Sequence, residues 1–159
     1  MSSDELSEPE LRPDDVLVLD DERFTTDNVA LVTGAASGIG QATAVALAVN
    51  GLTVVGADID TAGLEETQTV VDGFDTTGRF HPVETDLTDN TDVESVVEAA
   101  AAAGDLRYVA NIAGIQQIDS IAEFPMEQYD LLTDIMLRAP FYVAKRAIPH
   151  IEATDDGVG

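Results

Sequence analysis

The run VALVTGAASGIG at residues 29–40 constrains the fold more than any other part of the sequence. Four apolar residues end at Thr33, and three glycines follow within seven positions, directly before the helix-forming stretch QATAVALAVNG. A buried strand that turns through glycines into a helix leaves unpaired backbone N–H groups at the positive end of the helix dipole. Glycines alone could mark a plain turn. Because the strand and the helix both fit, we predict that this turn binds the pyrophosphate of a nucleotide.

Length and composition narrow the class of protein. A chain of 159 residues with 45% hydrophobic residues has room for one globular domain with a real core. No apolar run approaches the roughly 20 residues of a membrane helix, and the acidic N-terminus is unlike a secretory signal. We therefore expect a cytoplasmic protein without a membrane partner. The sequence has no cysteine, which rules out disulfides and cysteine–zinc sites. It has only two histidines, so metal sites built from histidine are not expected either.

The charge balance is extreme, with 31 acidic residues against seven basic ones. Proteins bind the phosphate backbone of nucleic acids mainly through Lys and Arg, so such a surface excludes nucleic acid as a partner. An acidic tail for a basic partner is one interpretation, but the carboxylates are spread along the whole chain, including predicted helix faces at residues 65–66 and 94–98. We favour adaptation to a high-salt cytoplasm, since the Debye length falls to about 3 Å at molar salt. Loss of structure in low salt is the expected consequence.

The chain divides into an acidic N-terminal extension, residues 1–24, and a domain at residues 25–159. The extension carries one short apolar patch and is expected to be mobile or loosely docked. In the domain, strands and helices alternate, which predicts right-handed crossovers and a parallel sheet of the α/β class. Strands are predicted at residues 29–32, 53–57, 79–84 and 107–110, and helices at residues 39–50, 61–71, 91–103 and 125–151. The third helix should open with a capping box of Thr91 and Glu94. Pro125 should be the first residue of the fourth, with a kink at Pro140.

Asp58 ends the second predicted strand, 24 residues beyond Gly34. In a dinucleotide-binding fold, a carboxylate at that position accepts hydrogen bonds from the adenosine ribose. The same charge repels the 2′-phosphate of NADP, and no Arg or Lys stands nearby in sequence, so NAD is the predicted cofactor. A solvated aspartate at a strand end is the alternative interpretation. Asp60 is a weaker candidate, because it is expected to start the next helix.

Three motifs in this order resemble the short-chain dehydrogenase/reductase family: the spacing G-x-x-x-G-x-G, Asp86-Leu87 after strand three, and residues 111–114 (NIAG) after strand four. The resemblance covers residues 24–159. It implies a partial doubly wound Rossmann sheet, strand order 3-2-1-4, and an NAD-dependent oxidoreductase acting on a secondary alcohol. The cofactor contacts it implies are Gly34, Ser37, Gly38, Ile39, Gly40, Asp58, Asp86, Leu87, Asn111, Ala113 and Gly114. For Asn111, holding the backbone of strand four is an alternative role.

Residues 113–132, AGIQQIDSIAEFPMEQYDLL, are most similar to 3-hydroxybutyrate dehydrogenases within that family. The similarity implies a small hydroxy acid or ketone as substrate, with Gln116 donating a hydrogen bond to the substrate carboxylate. A plain loop glutamine is the alternative. Gln117 stands where these relatives often have His, which weakens the assignment of the substrate.

The sequence also departs from the family pattern. The family's chemistry needs Ser, Tyr and Lys, the last two in a Y-x-x-x-K motif beyond the fifth strand. This sequence stops at residues 157–159, where that strand would begin. Tyr142 and Lys145 are spaced Y-x-x-K within the fourth helix and are expected to serve packing, and Met136 replaces a usual asparagine. We therefore expect no catalytic residue in this chain and no activity of the chain alone. In relatives the long fourth helix contributes to subunit interfaces, so the resemblance implies a homo-oligomer for the complete enzyme. The alternatives are a catalytically inactive NAD-binding regulatory module and a fragment that docks a partner through the exposed edge of strand four.

Overall fold

Four parallel strands form the centre of the structure, a computed structural model that describes residues 16–154. The strands are β1 (Asn28–Thr33), β2 (Thr53–Asp58), β3 (Arg79–Glu84) and β4 (Asp105–Asn111), in the order β3-β2-β1-β4. The predicted fold class and strand order are thereby confirmed. β1 pairs with both β2 and β4, which places the glycine turn at the centre of the sheet's carboxyl edge.

Helices follow each of the first three strands, and two further helices follow β4. They are α1 (Gly38–Val49), α2 (Thr61–Asp72), α3 (Asn90–Ala103), α4 (Met126–Thr133) and α5 (Ala139–Ala153), with a π-helical turn, Asp134–Arg138, between the last two. Within residues 16–154, none of these helices combines the length and the apolar character that a membrane crossing requires.

Alternate residues of β1 belong to two separate hydrophobic cores, because successive side chains of a strand point to opposite faces of the sheet. Ala30 and Val32 belong to one cluster, with buried side chains of α1 and α2. Val29 and Leu31 belong to the other, with buried side chains of α3 and α5. A strand covered on both faces reads as a continuous apolar run, which explains the buried VALV segment.

The start of α3 differs from the prediction. Asp89 is the N-cap residue, and its carboxylate accepts a hydrogen bond from the Thr91 N–H at 2.7 Å. The predicted capping box of Thr91 and Glu94 is therefore wrong. An aspartate two positions before Thr91 already satisfies a free amide of the first turn, and Glu94 instead bonds the Tyr142 hydroxyl of α5.

The region predicted as one long helix also differs. Pro125 is the N-cap of α4 rather than its first residue, and the irregularity lies at the π-helical turn, upstream of Pro140 rather than at it. Proline lacks an N–H and its ring clashes with the carbonyl four residues earlier, here Met136. A wider turn that contains Met136 relieves that conflict.

Residues 1–15 of the predicted extension lie outside the described part of the chain, but its remainder contacts the domain. The side-chain amide of Asn50 donates to the Leu17 carbonyl oxygen at 3.0 Å and accepts from the Leu19 N–H at 2.6 Å. Phe24 stacks edge-on against Tyr108 of β4, with 6.4 Å between ring centroids. Residues 17–24 are thus attached to α1 and to the sheet.

Candidate functional site

A cavity of about 440 Å³ lies at the carboxyl edge of the sheet, beside the start of α1. This edge is where open α/β sheets bind their ligands. Ten of the residues that line it were predicted from the sequence: Gly34, Ser37, Gly38, Ile39, Gly40, Asp58, Asp86, Leu87, Ala113 and Gly114. The structure therefore brings together the glycine turn, the end of β2 and the segments after β3 and β4.

The glycines of the turn are required by its shape. A Cβ on Gly40 would lie 1.8 Å from the Gly34 carbonyl oxygen, and one on Gly34 would lie 2.8 Å from the backbone of Ala113. Gly34 and Gly38 also have positive φ angles, 74° and 54°. Gly38 differs in having open space where its Cβ would be, which leaves room for a ligand to approach the backbone.

Hydrogen bonds from neighbouring elements hold the turn in place. The Gly34 N–H donates to the Ala57 carbonyl oxygen at 2.8 Å, and the hydroxyl of the fully buried Thr67 lies 2.9 Å from the Ala35 carbonyl oxygen. Ser37 is the N-cap of α1 but, in the part of the chain that the structure describes, its side chain makes no capping bond. The free amides of the first turn are consequently available to an anion.

Asp58 is fixed at the cavity by its own loop. One carboxylate oxygen accepts from the Ala36 N–H at 3.1 Å, and the other accepts from the Asp60 N–H at 3.0 Å. Each oxygen keeps a further lone pair for a hydroxyl of a ligand. Asp60 caps α2 by accepting from the N–H groups of Ala62 and Gly63, as expected for the start of that helix.

Asp86 anchors the loop between β3 and α3. One of its carboxylate oxygens accepts from the Thr88 hydroxyl at 2.7 Å and from the Thr88 N–H at 2.8 Å. These bonds lower the pKa of Asp86 below its usual range, so the carboxylate is ionised at neutral pH. The Asp86 N–H in turn donates to Asp92 at 3.0 Å, which ties the loop to the first turn of α3.

The segment after β4 is attached to β1 by one hydroxyl. The oxygen of the buried Thr33 accepts from the N–H groups of Ile112 and Ala113, at 3.1 and 3.3 Å. This positions Ala113 and Gly114 on the cavity wall. Asn111 and Gln116 are exposed and lie outside the set of lining residues, so their roles stay predictions.

Sequence reasoning missed several residues that shape the cavity. Its apolar lining includes Ile59, Ile112, Ile115 and Ile135, and the buried Thr85 is also part of the wall. Ile59 and Ile115 directly neighbour predicted residues, which is a signal that could have been used. Ile135 reaches the cavity only because the chain returns through α4 to the π-helical turn, and no spacing in the sequence indicates this.

Tyr142 and Lys145 lie outside the cavity lining. The Tyr142 hydroxyl donates to the Glu94 carboxylate, and this bond raises the pKa of the tyrosine. A catalytic tyrosine needs its pKa lowered towards neutrality, so this contact works in the opposite direction. Tyr142 serves the packing of α5 on α3.

Comparison with known proteins gives the family. The model of the short chain dehydrogenase family matches residues 28–158, and the chain belongs to this family. It is 36% identical over 134 residues to cyclohexanol dehydrogenase from an Acinetobacter species, covering 82% of this chain and 52% of the relative. It is 31% identical over 124 residues to the 3-oxoacyl-(acyl-carrier-protein) reductase of Thermotoga maritima, covering 77% of this chain and 50% of that protein.

A solved structure supports the fold. It is a blue fluorescent protein from a metagenomic library in complex with NADPH, with a TM-score of 0.72 and 24% identity, over 80% of this chain and 52% of the other. The chain thus spans about half the length of the relatives it matches. Its fold and family are those of short-chain dehydrogenases.

Proposed function

We propose that this chain forms the NAD-binding half of a short-chain dehydrogenase/reductase that interconverts a secondary alcohol and a ketone. The observation that carries the proposal is the cavity in which the glycine turn, the first turn of α1 and the Asp58 carboxylate meet. Free amides there suit a pyrophosphate, and the carboxylate suits a ribose.

The residues that line the cavity suit the separate parts of a dinucleotide. The open backbone at Gly38 is the place for the pyrophosphate, and Asp58 the place for the adenosine ribose. Ile59 and Leu87 line the same cavity and provide apolar surface for the adenine. Ala113 and Gly114 then border the nicotinamide half, whose ring supplies the hydride chemistry when bound.

Charge favours NAD over NADP. Asp58 would face the 2′-phosphate of NADP, and among the described residues that line the cavity none is Lys, Arg or His. A carboxylate next to a phosphate without a neutralising cation is repulsive. The NADPH in the solved neighbour belongs to that protein, whose 24% identity supports only the fold.

Calorimetry with NAD and NADP in concentrated KCl tests this proposal. The wild-type chain is expected to bind NAD more tightly than NADP, because Asp58 accepts ribose hydrogen bonds from NAD and repels the extra phosphate. Asp58→Ala is expected to weaken NAD binding about tenfold, the usual loss for a hydrogen bond to a charged group, and to reduce the discrimination against NADP.

Asp72→Ala is the matched control, since Asp72 lies at the far end of α2 and accepts a bond from Gln68. It is expected to bind both nucleotides like the wild type. A folded wild-type chain that gives no heat with NAD, or that prefers NADP, contradicts the proposal.

For the substrate we propose a 3-hydroxy acid such as 3-hydroxybutyrate, with Gln116 donating to its carboxylate. The names of the two relatives describe related chemistry, a cyclic secondary alcohol in one and a 3-oxoacyl group in the other. Support for the hydroxy acid itself comes from the sequence of residues 113–132. Oxidation of 3-hydroxybutyrate by a full-length protein containing this chain, and its loss in Gln116→Ala, would test the assignment.

We further propose a cytoplasmic, high-salt setting and a homo-oligomeric complete enzyme. The net charge of −24 supports the first. The second is supported by exposed apolar side chains on α5 and before it, Leu137, Phe141 and Ile148. The same side chains, together with β4 as an edge strand of the sheet, favour docking of a partner as the second candidate function. Size-exclusion chromatography coupled to light scattering distinguishes self-association from a monomer that needs a partner.

A further inference from the structure

Arg138 joins two walls of the cavity without lining it. Its guanidinium donates to Asp134 at 2.8 Å, to the Asn90 side-chain oxygen at 2.6 Å and to the Thr88 carbonyl oxygen at 2.7 Å. Asp134 lies in the π-helical turn, whereas Thr88 lies between β3 and α3 and Asn90 is the first residue of α3. These two segments are about 50 residues apart in sequence.

On the first wall, Arg138 completes the anchoring of Thr88. The Asp86 carboxylate holds the Thr88 N–H and hydroxyl, and Arg138 holds the Thr88 carbonyl. Thr88 is thus held at its N–H group by one residue and at its carbonyl oxygen by another. Because Asp86 and Leu87 line the cavity, a shift of Thr88 moves the surface that a bound nucleotide would meet.

On the second wall, the bond from Arg138 to Asp134 spans the π-helical turn from end to end. Ile135 projects from this turn into the cavity. A planar guanidinium can donate in three directions at once, which the point charge of a lysine cannot do with the same geometry.

We propose that Arg138 is a positioning residue that sets the distance between these two walls and so preorganises the cavity for its nucleotide. The inference rests on the proposed function, since it assumes that the cavity binds NAD. Arg138 touches neither the nucleotide nor the reacting atoms, and it acts through Thr88 and Asp134.

The test compares Arg138→Ala with Arg138→Lys and with the control Arg107→Ala. Arg107 is a second arginine, located at the amino edge of the sheet, away from the cavity. It donates to the Asn28 side-chain oxygen at 2.6 Å and to the Thr154 carbonyl oxygen at 3.2 Å. Affinities for NAD and AMP are measured by calorimetry, and melting temperatures by circular dichroism, all in concentrated KCl. Amide hydrogen exchange at Thr88 is followed in the chain without nucleotide.

Arg138→Ala is expected to weaken both NAD and AMP about tenfold and to speed exchange at Thr88, while Arg138→Lys recovers part of the affinity. Arg107→Ala is expected to lower the melting temperature and leave both affinities unchanged. A merely structural role for Arg138 predicts the same pattern for both alanine variants. Wild-type affinity together with unchanged exchange in Arg138→Ala would overturn the inference.

Two further outcomes, failure of nucleotide binding and failure of the variant to fold, can be distinguished from each other. If the wild-type chain binds neither NAD nor AMP, the proposed function fails, and exchange at Thr88 alone decides whether Arg138 fixes the loop. If Arg138→Ala does not fold, Asn90→Ala removes only one of the three bonds, and a two- to threefold weaker affinity for NAD is then expected. Unchanged affinity and exchange in Asn90→Ala would count against the inference.

Discussion

Gly40 is the residue with the least room for change in the glycine turn. In Gly40→Ala the new methyl group would meet the Gly34 carbonyl oxygen at 1.8 Å, and backbone on both sides must shift. We expect a loss of about 3 kcal/mol in the free energy of unfolding, as for other overpacked sites. Urea denaturation in concentrated KCl measures it.

Gly73→Ala provides the comparison for this substitution. Gly73 follows α2 with a right-handed φ of −77°, which alanine adopts without strain, and its Cβ would lie 3.3 Å from the nearest carbonyl oxygen. Its free energy of unfolding should change by less than about 1 kcal/mol. Equal losses in the two variants would mean that the tight approach at Gly40 has no special cost.

Single residues also show what a sequence can predict about a site. Asp58 and the glycines were predictable because a strand end followed by a tight turn fixes their positions through local backbone geometry. Asp86 and Leu87 followed from motif order, yet the anchoring of Asp86 on Thr88 was not visible. Ile135 and Arg138 were beyond reach, since their roles depend on how α4 and α5 return across the sheet.

At the scale of elements, substitutions at the start of α3 test whether Asp89 or Thr91 caps this helix. Asp89→Ala should lower the free energy of unfolding by about 1 kcal/mol, because an amide of the first turn loses its acceptor. Thr91→Ala should change it by less than about 0.5 kcal/mol, as for an ordinary exposed position. Thermal denaturation of both variants measures the difference. A larger loss for Thr91→Ala would restore the capping box.

Element boundaries were predicted well where a helix or strand is punctuated locally. Gly51, with a positive φ, directly follows Asn50, where the first helix was predicted to end, and β3 has the predicted bounds. The π-helical turn was not predicted, because a proline in a helix pattern indicates strain without saying where the chain relieves it. The pairing of Phe24 with Tyr108 was missed for a related reason, since contacts between distant segments leave no local pattern.

At the scale of the whole molecule, the net charge of −24 makes stability dependent on salt. Repulsion among carboxylates is screened at molar salt, where the Debye length is about 3 Å, but reaches across the surface at 0.01 M, where it is about 30 Å. We expect the helical circular dichroism signal to fall on dialysis from concentrated KCl into low salt and to return when KCl is restored. An unchanged spectrum in low salt contradicts adaptation to a saline interior.

The Thr33 hydroxyl, which bonds the segment after β4, ties one wall of the cavity to the central strand of the sheet. It joins residues 79 positions apart, whereas β1 meets β2 after a single crossover. Closing the longer loop costs more chain entropy, so local pairings can form before this one. A nucleotide held against the wall formed by Ala113 and Gly114 would therefore stabilise the sheet with β4 in place over partly folded forms in which β4 is unpaired.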